Sequence, residues 1–392
     1  MKKQLLFIID SLNCGGAEKS LVSLLPLIDY SKYDVDLLIF DSRRNKRKGV
    51  FEKYLPTEVN VLDFHLFGES VFEKIRKFFH YARLSPQLRL NHRRHGSEIL
   101  WRSAHFDFKH MEKPYDAGIA YQQGLPTFFL ASKVKAKKKI AWINANVYEE
   151  GYDMDYCHRF YDKINQVVAV SPKLQNILAE RSPWLRQKIT CIYDVVNQEL
   201  ISKMAHEPID DMPNIDNEVK IVTVGRLAPP KNYPLAVSSA KALKDKGLKF
   251  KWYFVGTGPS RTSIEKSISE YELQDCVILL GLKDNPYPYI ANADIYVQTS
   301  SHEGFCLTIA EAKTLCRPIV STNFDVVFEQ IKDRYNGLIA DMTQESIAEC
   351  IMELVNSQSL REQLVHNLSL EQNNTQVTEI NKFYALLDQS NA

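Results

Sequence analysis

Short apolar runs alternate along the chain with longer segments in which apolar residues recur at helical spacing. The runs Leu5–Asp10, Val35–Phe40, Val59–Phe64, Ala117–Gln122, Ile140–Asn144 and Val167–Ser171 are rich in Val and Ile. Continuous apolar runs of this length suit strands buried on both faces of a parallel sheet. Between them, Ala17–Ile28 and Pro172–Arg181 read as helices, the second with Ser171 as N-cap and Pro172 as first residue. The alternation restarts with strands at Ile221–Val224, Trp252–Val255, Val277–Leu280, Asp294–Gln298 and Pro318–Ser321, and helices at Leu235–Lys244, Ser263–Tyr271 and Leu307–Leu315. Two successive runs of βα units predict two doubly wound domains. The acidic segment His206–Asn214, with two prolines and no period, reads as an exposed connection close to their boundary.

One stretch breaks the alternation. Residues 71–113 are rich in Lys, Arg, His and aromatics, and Ile75, Phe78, Phe79 and Ala82 recur at helical spacing. Two readings stand: a basic amphipathic helix on an anionic bilayer, or a solvated helical insertion packed on the first domain. Two more basic clusters are Lys133, Lys135, Lys137, Lys138 and Lys139 ahead of the strand at Ile140, and Arg43, Arg44, Lys46, Arg47 and Lys48 in a loop.

The chain has 392 residues, too many for one ordinary core, and 45% apolar with 25% charged residues is usual for a globular protein. The net charge of +1 hides an asymmetry: residues 1–200 carry +8 and residues 201–392 carry −7. A basic half suits an anionic membrane surface, a lipid phosphate or a nucleic acid, and attraction between the halves accounts for it equally well. No nucleic-acid motif accompanies the clusters, so nucleic acid is not an expected partner. No apolar run approaches the roughly 20 residues of a membrane span. Leu5–Ile9 follows Lys2 and Lys3 but is too short for a signal peptide. The seven cysteines are scattered without metal-ligand spacing, which points to a reducing cytoplasm.

Three segments carry candidate chemistry. In Glu303-Gly304-Phe305-Cys306-Leu307-Thr308-Ile309-Ala310-Glu311, a strand end turns into a helix. Gly304 permits a close backbone turn, and the N–H groups of Phe305, Cys306 and Leu307 form an anion-binding helix start. Glu311, on a nearly apolar helix, either binds ligand hydroxyls or faces water at the helix start. In Gly225-Arg226-Leu227-Ala228-Pro229-Pro230-Lys231, Arg226 and Lys231 follow another strand; they can neutralise a leaving diphosphate, or are surface cations of an ordinary loop. In Asn13-Cys14-Gly15-Gly16-Ala17-Glu18, Gly15 and Gly16 permit close approach to phosphate or sugar. Neither that turn nor Gly256-Thr257-Gly258 completes G-x-G-x-x-G, since Arg261 takes the third glycine's place, which weighs against a dinucleotide-dependent dehydrogenase.

The combination resembles the retaining GT-B glycosyltransferases called group 1 (family 4-like). It is carried by E-G-F-x-L-x-x-x-E at Glu303–Glu311, V-G-R-L-x-x-x-K-N at Val224–Asn232, Val255–Pro259, Asp294–Ser300, Gly15–Glu18 and Asn336–Ile339. It is dense over Val219–Ala340 and thin across the first half. The resemblance implies a GT-B fold of two facing Rossmann-like domains: 1–197 for the acceptor, 198–375 for the nucleotide-sugar, and 376–392 as a helix crossing back. It implies that Arg226 and Lys231 contact the donor diphosphate, that Glu303 and the Phe305–Leu307 backbone hold sugar and phosphate, and that Glu311 binds the ribose. Gly256 and Gly304 fall among the expected donor contacts. No metal or other cofactor is expected, and Asp153-Met154-Asp155 lies in a Tyr-rich loop, not after a strand.

The chain departs from the family at Asn144, where many relatives have His. Asn cannot shuttle a proton at neutral pH, so it is either a hydrogen-bonding member of the catalytic set or a plain strand-end residue. The expectation is a cytoplasmic glycosyltransferase, either free or peripheral on the inner face of the cell membrane. Its donor would be a UDP-sugar and its acceptor a glycan or polyprenyl-diphosphate-linked glycan of envelope polysaccharide synthesis. A GT-B sugar-nucleotide epimerase or hydrolase and a non-catalytic partner subunit remain as alternatives.

Overall fold

The structure is a computed structural model that describes residues 2–13, 15–40, 49–62, 94–105, 108–213, 217–371 and 375–388. Cys14, the 43–48 cluster and the 71–93 part of the basic stretch, with its apolar positions Ile75, Phe78, Phe79 and Ala82, lie outside the described residues.

The chain divides into two compact units, Met1–Val195 with Thr375–Ala392, and Val196–Asn374. In chain order the first contains β1 (Lys3–Ile9), α1 (Gly16–Leu24), β2 (Tyr33–Ile39), β3 (Val59–Val61), α2 (Gly96–Ala104), β4 (Tyr115–Ala120) and α3 (Leu125–Lys133). It continues through β5 (Ala136–Ile143), α4 (Met154–Tyr161), β6 (Gln166–Ala169), α5 (Pro172–Arg181) and β7 (Ile189–Cys191). The second contains α6 (Gln198–Ala205), β8 (Val219–Val224), α7 (Tyr233–Asp245), β9 (Phe250–Val255), α8 (Arg261–Glu270) and β10 (Val277–Gly281). Then come α9 (Tyr287–Ala291), β11 (Ile295–Gln298), α10 (Leu307–Thr314), β12 (Ile319–Thr322), β13 (Leu338–Ala340), α11 (Gln344–Asn356) and α12 (Gln358–Leu370). The final helix, α13 (Thr375–Asp388), belongs to the first unit.

Each unit is built on a parallel sheet, ordered β3-β2-β1-β4-β5-β6-β7 in the first and β10-β9-β8-β11-β12-β13 in the second. Both orders reverse direction beside the first strand of their sheet, so the crevices used by ligands in such folds open at the carboxyl ends of β1/β4 and of β8/β11. The continuous apolar runs are the reason for the parallel sheets: Leu5 to Ile9 are all buried, as are Trp252 to Val255. On α5, Ser171 Oγ accepts the Leu174 N–H at 3.2 Å and so closes the helix start.

In the first unit α13 completes the core. Phe383 is fully buried, with ring centroids 6.0 Å from Phe7 and 5.9 Å from Trp142. Glu379 accepts the Tyr193 N–H at 2.8 Å, and Tyr384 stacks on Tyr33. Nearby, Asp194 is buried and its Oδ1 has no hydrogen-bond partner among the described residues. Burial pushes its carboxyl up to about 7, against the pull of the Ser20 hydroxyl.

Several expectations from the sequence are corrected. The first helix ends at Leu24, because Pro26 supplies no donor and the chain tightens into a 3₁₀ turn. β5 starts at Ala136, so Lys137 to Lys139 are strand residues: Lys137 pairs with Asp116, and Lys138 is buried. The described end of the basic stretch is core: Trp101 on α2 packs on Phe108, Phe128 and Phe160. Buried Glu98 accepts from Arg102 and from the Asp153 N–H. Asp153 in turn caps α4. His206–Pro213 does join α6 to β8 as a mostly exposed segment, but it is tied down by side-chain partners. Asp211 holds Lys283 and the Tyr289 hydroxyl, Glu207 holds Asn285, and Met212 is buried; the division falls earlier, after Val195.

Candidate active site

The second unit gathers its chemistry at the carboxyl ends of β8, β9 and β11. After β8 and β9 the backbones run against each other: the Gly225 N–H donates to Val255 O at 3.0 Å and the Leu227 N–H to Thr257 O at 3.0 Å. Gly256 adopts φ 152°, and a Cβ there would stand 1.9 Å from Gly225 O, so only glycine fits. Gly256 therefore sets how closely the two loops approach.

The loop after β8 leads to Lys231, whose Nζ is 2.6 Å from Glu303 Oε1. Both side chains are mostly buried, at 18% and 15% exposure. Burial pulls the Lys231 ammonium down, but the facing Glu303 carboxylate outweighs it and holds the pKa above the usual lysine value. Lys231 is thus a fixed positive charge at any physiological pH. The Ser300 hydroxyl donates to the same Glu303 oxygen at 2.5 Å. Gln298, buried at the end of β11, accepts from Tyr296 and Thr308 and donates to Ser300 at 2.6 Å. Thr299 Oγ1 donates to Lys231 O and the Ser301 N–H to Pro230 O, which ties the two loops together. Arg226 is exposed, with no hydrogen bond or ion pair from its side chain to the described residues.

The turn into α10 differs from the sequence reading. The positive φ falls on Cys306 (69°), not on Gly304. Cys306 is the residue ahead of the helix, is buried, and its side chain makes no capping bond. A non-glycine residue in this region costs about 1–3 kcal/mol and tends to mark a functional turn. Gln330 holds the turn from behind by donating to the carbonyls of Phe305 and Cys306. On the next turn of α10, Glu311 is buried, not water-facing, and accepts the Tyr287 hydroxyl at 3.2 Å.

The remaining candidates, Gly15, Gly16 and Asn144, belong to the first unit. Asn144 stands just past β5. Its Nδ2 donates to Tyr121 O at 2.8 Å and its N–H to Gln123 Oε1 at 3.0 Å, while Oδ1 is buried without a partner among the described residues. Gly15 precedes α1, and a Cβ there would meet the Glu18 carboxylate at 2.0 Å. Glu18 is buried and accepts the Ser11 hydroxyl at 2.9 Å; burial raises its pKa.

Sequence reasoning thus named Lys231, Glu303 and Glu311 but missed Gln298, Ser300, Tyr287 and Gln330. Gln298 left a signal, a large polar residue closing an apolar strand. Gln330 left none, because its partners are backbone carbonyls 24 and 25 residues away.

Two sheets of this order, with the chain returning to the first unit, define the GT-B fold. Matching structures agree along the whole chain. Anabaena HepE in complex with UDP and glucose has TM-score 0.71 and 17% identity, with 99% of this chain and 100% of that one covered. A Staphylococcus aureus TarM mutant in complex with fondaparinux, alpha-GlcNAc-glycerol and UDP has TM-score 0.69 and 16% identity over 99% and 100%. Residues 207–369 match the family model described as "Glycosyl transferases group 1". Among curated proteins, N-acetylgalactosamine-N,N'-diacetylbacillosaminyl-diphospho-undecaprenol 4-alpha-N-acetylgalactosaminyltransferase of Campylobacter jejuni is 23% identical over 350 residues, 88% of each chain. Other curated relatives align over only about two fifths of their own length, 41%, 38% and 40% in three cases. Among the described residues no helix is long and apolar enough to cross a membrane.

Proposed function

We propose that the chain is a glycosyltransferase that moves a sugar from a UDP-sugar, with retention of configuration, onto a glycan or polyprenyl-diphosphate-linked acceptor of a cell-envelope polysaccharide. The observation that carries this reading is the buried Lys231–Glu303 pair beside the Cys306 turn into α10. It places a permanent cation, a carboxylate and a helix start together at the carboxyl edge of the sheet. Support for the UDP donor comes from the UDP complexes of HepE and TarM, and for a lipid-linked acceptor from the name of the Campylobacter relative.

In this reading Lys231 and Arg226 stabilise the leaving diphosphate. Lys231 has three donors and gives one to Glu303, leaving others for phosphate oxygens. Glu303 takes sugar hydroxyls, Glu311 takes the ribose, and the N–H groups of Cys306 and Leu307 take phosphate. Asn144 cannot act as a base, so the leaving phosphate accepts the acceptor's proton. The two cations make a metal unnecessary, so chelator should leave the rate unchanged.

The test is a panel of sugar nucleotides screened by thermal shift, followed by mass detection of UDP and product with and without lipid-linked acceptor. Stabilisation by a UDP-sugar and acceptor-dependent UDP release are expected. Acceptor-independent conversion or cleavage of the donor would point to an epimerase or hydrolase, and no nucleotide binding would sink the reading.

A further inference from the structure

We propose that Gln330 is a positioning residue whose amide aims the Cys306 and Leu307 N–H groups at the donor diphosphate. The inference rests on the donor reading given above and adds a residue that never touches the donor.

The side chain of Gln330 is mostly buried, and its Nε2 donates to Phe305 O and, at 3.3 Å, to Cys306 O. A primary amide nitrogen carries two hydrogens, one for each carbonyl. These two carbonyls belong to the peptides whose nitrogens are those of Cys306 and Leu307. In a planar trans peptide the C=O and N–H point to opposite sides. Drawing both carbonyls toward Gln330 therefore turns both N–H groups away from it. The same clamp helps to hold Cys306 in its left-handed conformation, which is costly for a non-glycine residue.

Gln330 is itself anchored from α10 and from the turn before β13. Its backbone oxygen accepts Lys313 Nζ from α10 at 2.8 Å and Asn336 Nδ2 at 3.1 Å. Asn336 is fully buried and also donates to Glu371, just past α12, at 2.8 Å; Lys313 pairs with the same Glu371 at 3.0 Å. The anchor fixes the backbone from which the Gln330 side chain reaches the Phe305 and Cys306 carbonyls. Other side chains of similar size fail for stated reasons. Methionine donates nothing, and an ionised glutamate repels both carbonyls.

The experiment compares wild type, Gln330→Met and Gln330→Glu in the full chain, measuring binding of UDP and of uridine by calorimetry and ligand-observed NMR, with melting as a fold check. Gln330→Met should weaken UDP about tenfold or more while changing uridine by less than about twofold. Gln330→Glu should show its largest UDP loss, relative to wild type at the same pH, at pH 8. It should recover part of it at pH 5, where the protonated acid can donate one hydrogen bond. Parallel losses for UDP and uridine, no loss for UDP, or a pH-independent Gln330→Glu defect would each overturn the positioning role. Failure of the wild type to bind UDP would overturn the donor reading itself, and is told apart because it appears before any substitution.

Discussion

Replacing Asp194 with Asn should make the protein more stable at pH 8 and leave it unchanged near pH 4. Burial raises the Asp194 carboxyl from 3.8 to about 7. The folded chain therefore keeps its proton to a higher pH than the unfolded chain does. Stability from this group is complete below pH ~4 and is lost as pH climbs through the interval to about 7, above which the fold carries a buried carboxylate. A shift of that size corresponds to an upper limit of about 4 kcal/mol. Asn keeps the shape and the acceptor for Ser20 but has no charge to bury. At about 2–4 °C per kcal/mol for a unit of this size, the melting temperature of Asp194→Asn should exceed that of wild type by several degrees at pH 8. The assay is melting of both proteins by tryptophan fluorescence at half-unit steps from pH 4 to pH 8.5. The slope is the diagnostic, since any loss of packing in the variant adds an offset that does not change with pH. A constant difference across the range, or wild-type stability that rises from pH 5 to pH 7 relative to the variant, would refute the reasoning.

Other substitutions separate chemistry from scaffold. Lys231→Ala should cut turnover by about a hundredfold or more and also destabilise the second unit by on the order of 2 kcal/mol, because Glu303 loses its counter-charge. Arg226→Ala should lose a similar factor in turnover with no change in melting, because the side chain is exposed and unpaired among the described residues. Gly256→Ala should cost about 3 kcal/mol or more, seen as poor soluble yield or a large fall in melting temperature, since the new Cβ meets the Gly225 carbonyl. Glu311→Gln should weaken UDP about tenfold but leave 2′,3′-dideoxy-UDP nearly unaffected, if the buried carboxylate holds the ribose.

Much of the scaffold was legible because it is written in local pattern. Buried parallel strands demand unbroken apolar runs, and Ser171-Pro172 announces a helix start by chemistry confined to four residues. The donor-side loops were legible for a different reason: Lys231 and Glu303 lie in short segments whose spacing carries the family resemblance. What the sequence hid are features set by distant partners. Cys306 is left-handed because of the turn it closes, while Gly304 beside it drew the expectation. The acidic run at Asp211 gave no sign of being tied down because Lys283 and Tyr289, which pair with it, lie over 70 residues away. Trp101 sat in a stretch dominated by Arg and Lys, and only the packing of Phe108, Phe128 and Phe160 shows that it is core.

The return of α13 to the first unit also orders events in time. Topologically, the second unit is an insertion within the first, so Phe7 and Trp142 wait for Phe383. The ribosome must add roughly 180 residues between Val195 and Thr375, which takes about 10–40 s at ordinary elongation rates. For that interval the nascent first unit presents an open aromatic seam, while the second, continuous in sequence, is complete as soon as Asn374 is added. The unit that begins synthesis first is therefore the last to be finished.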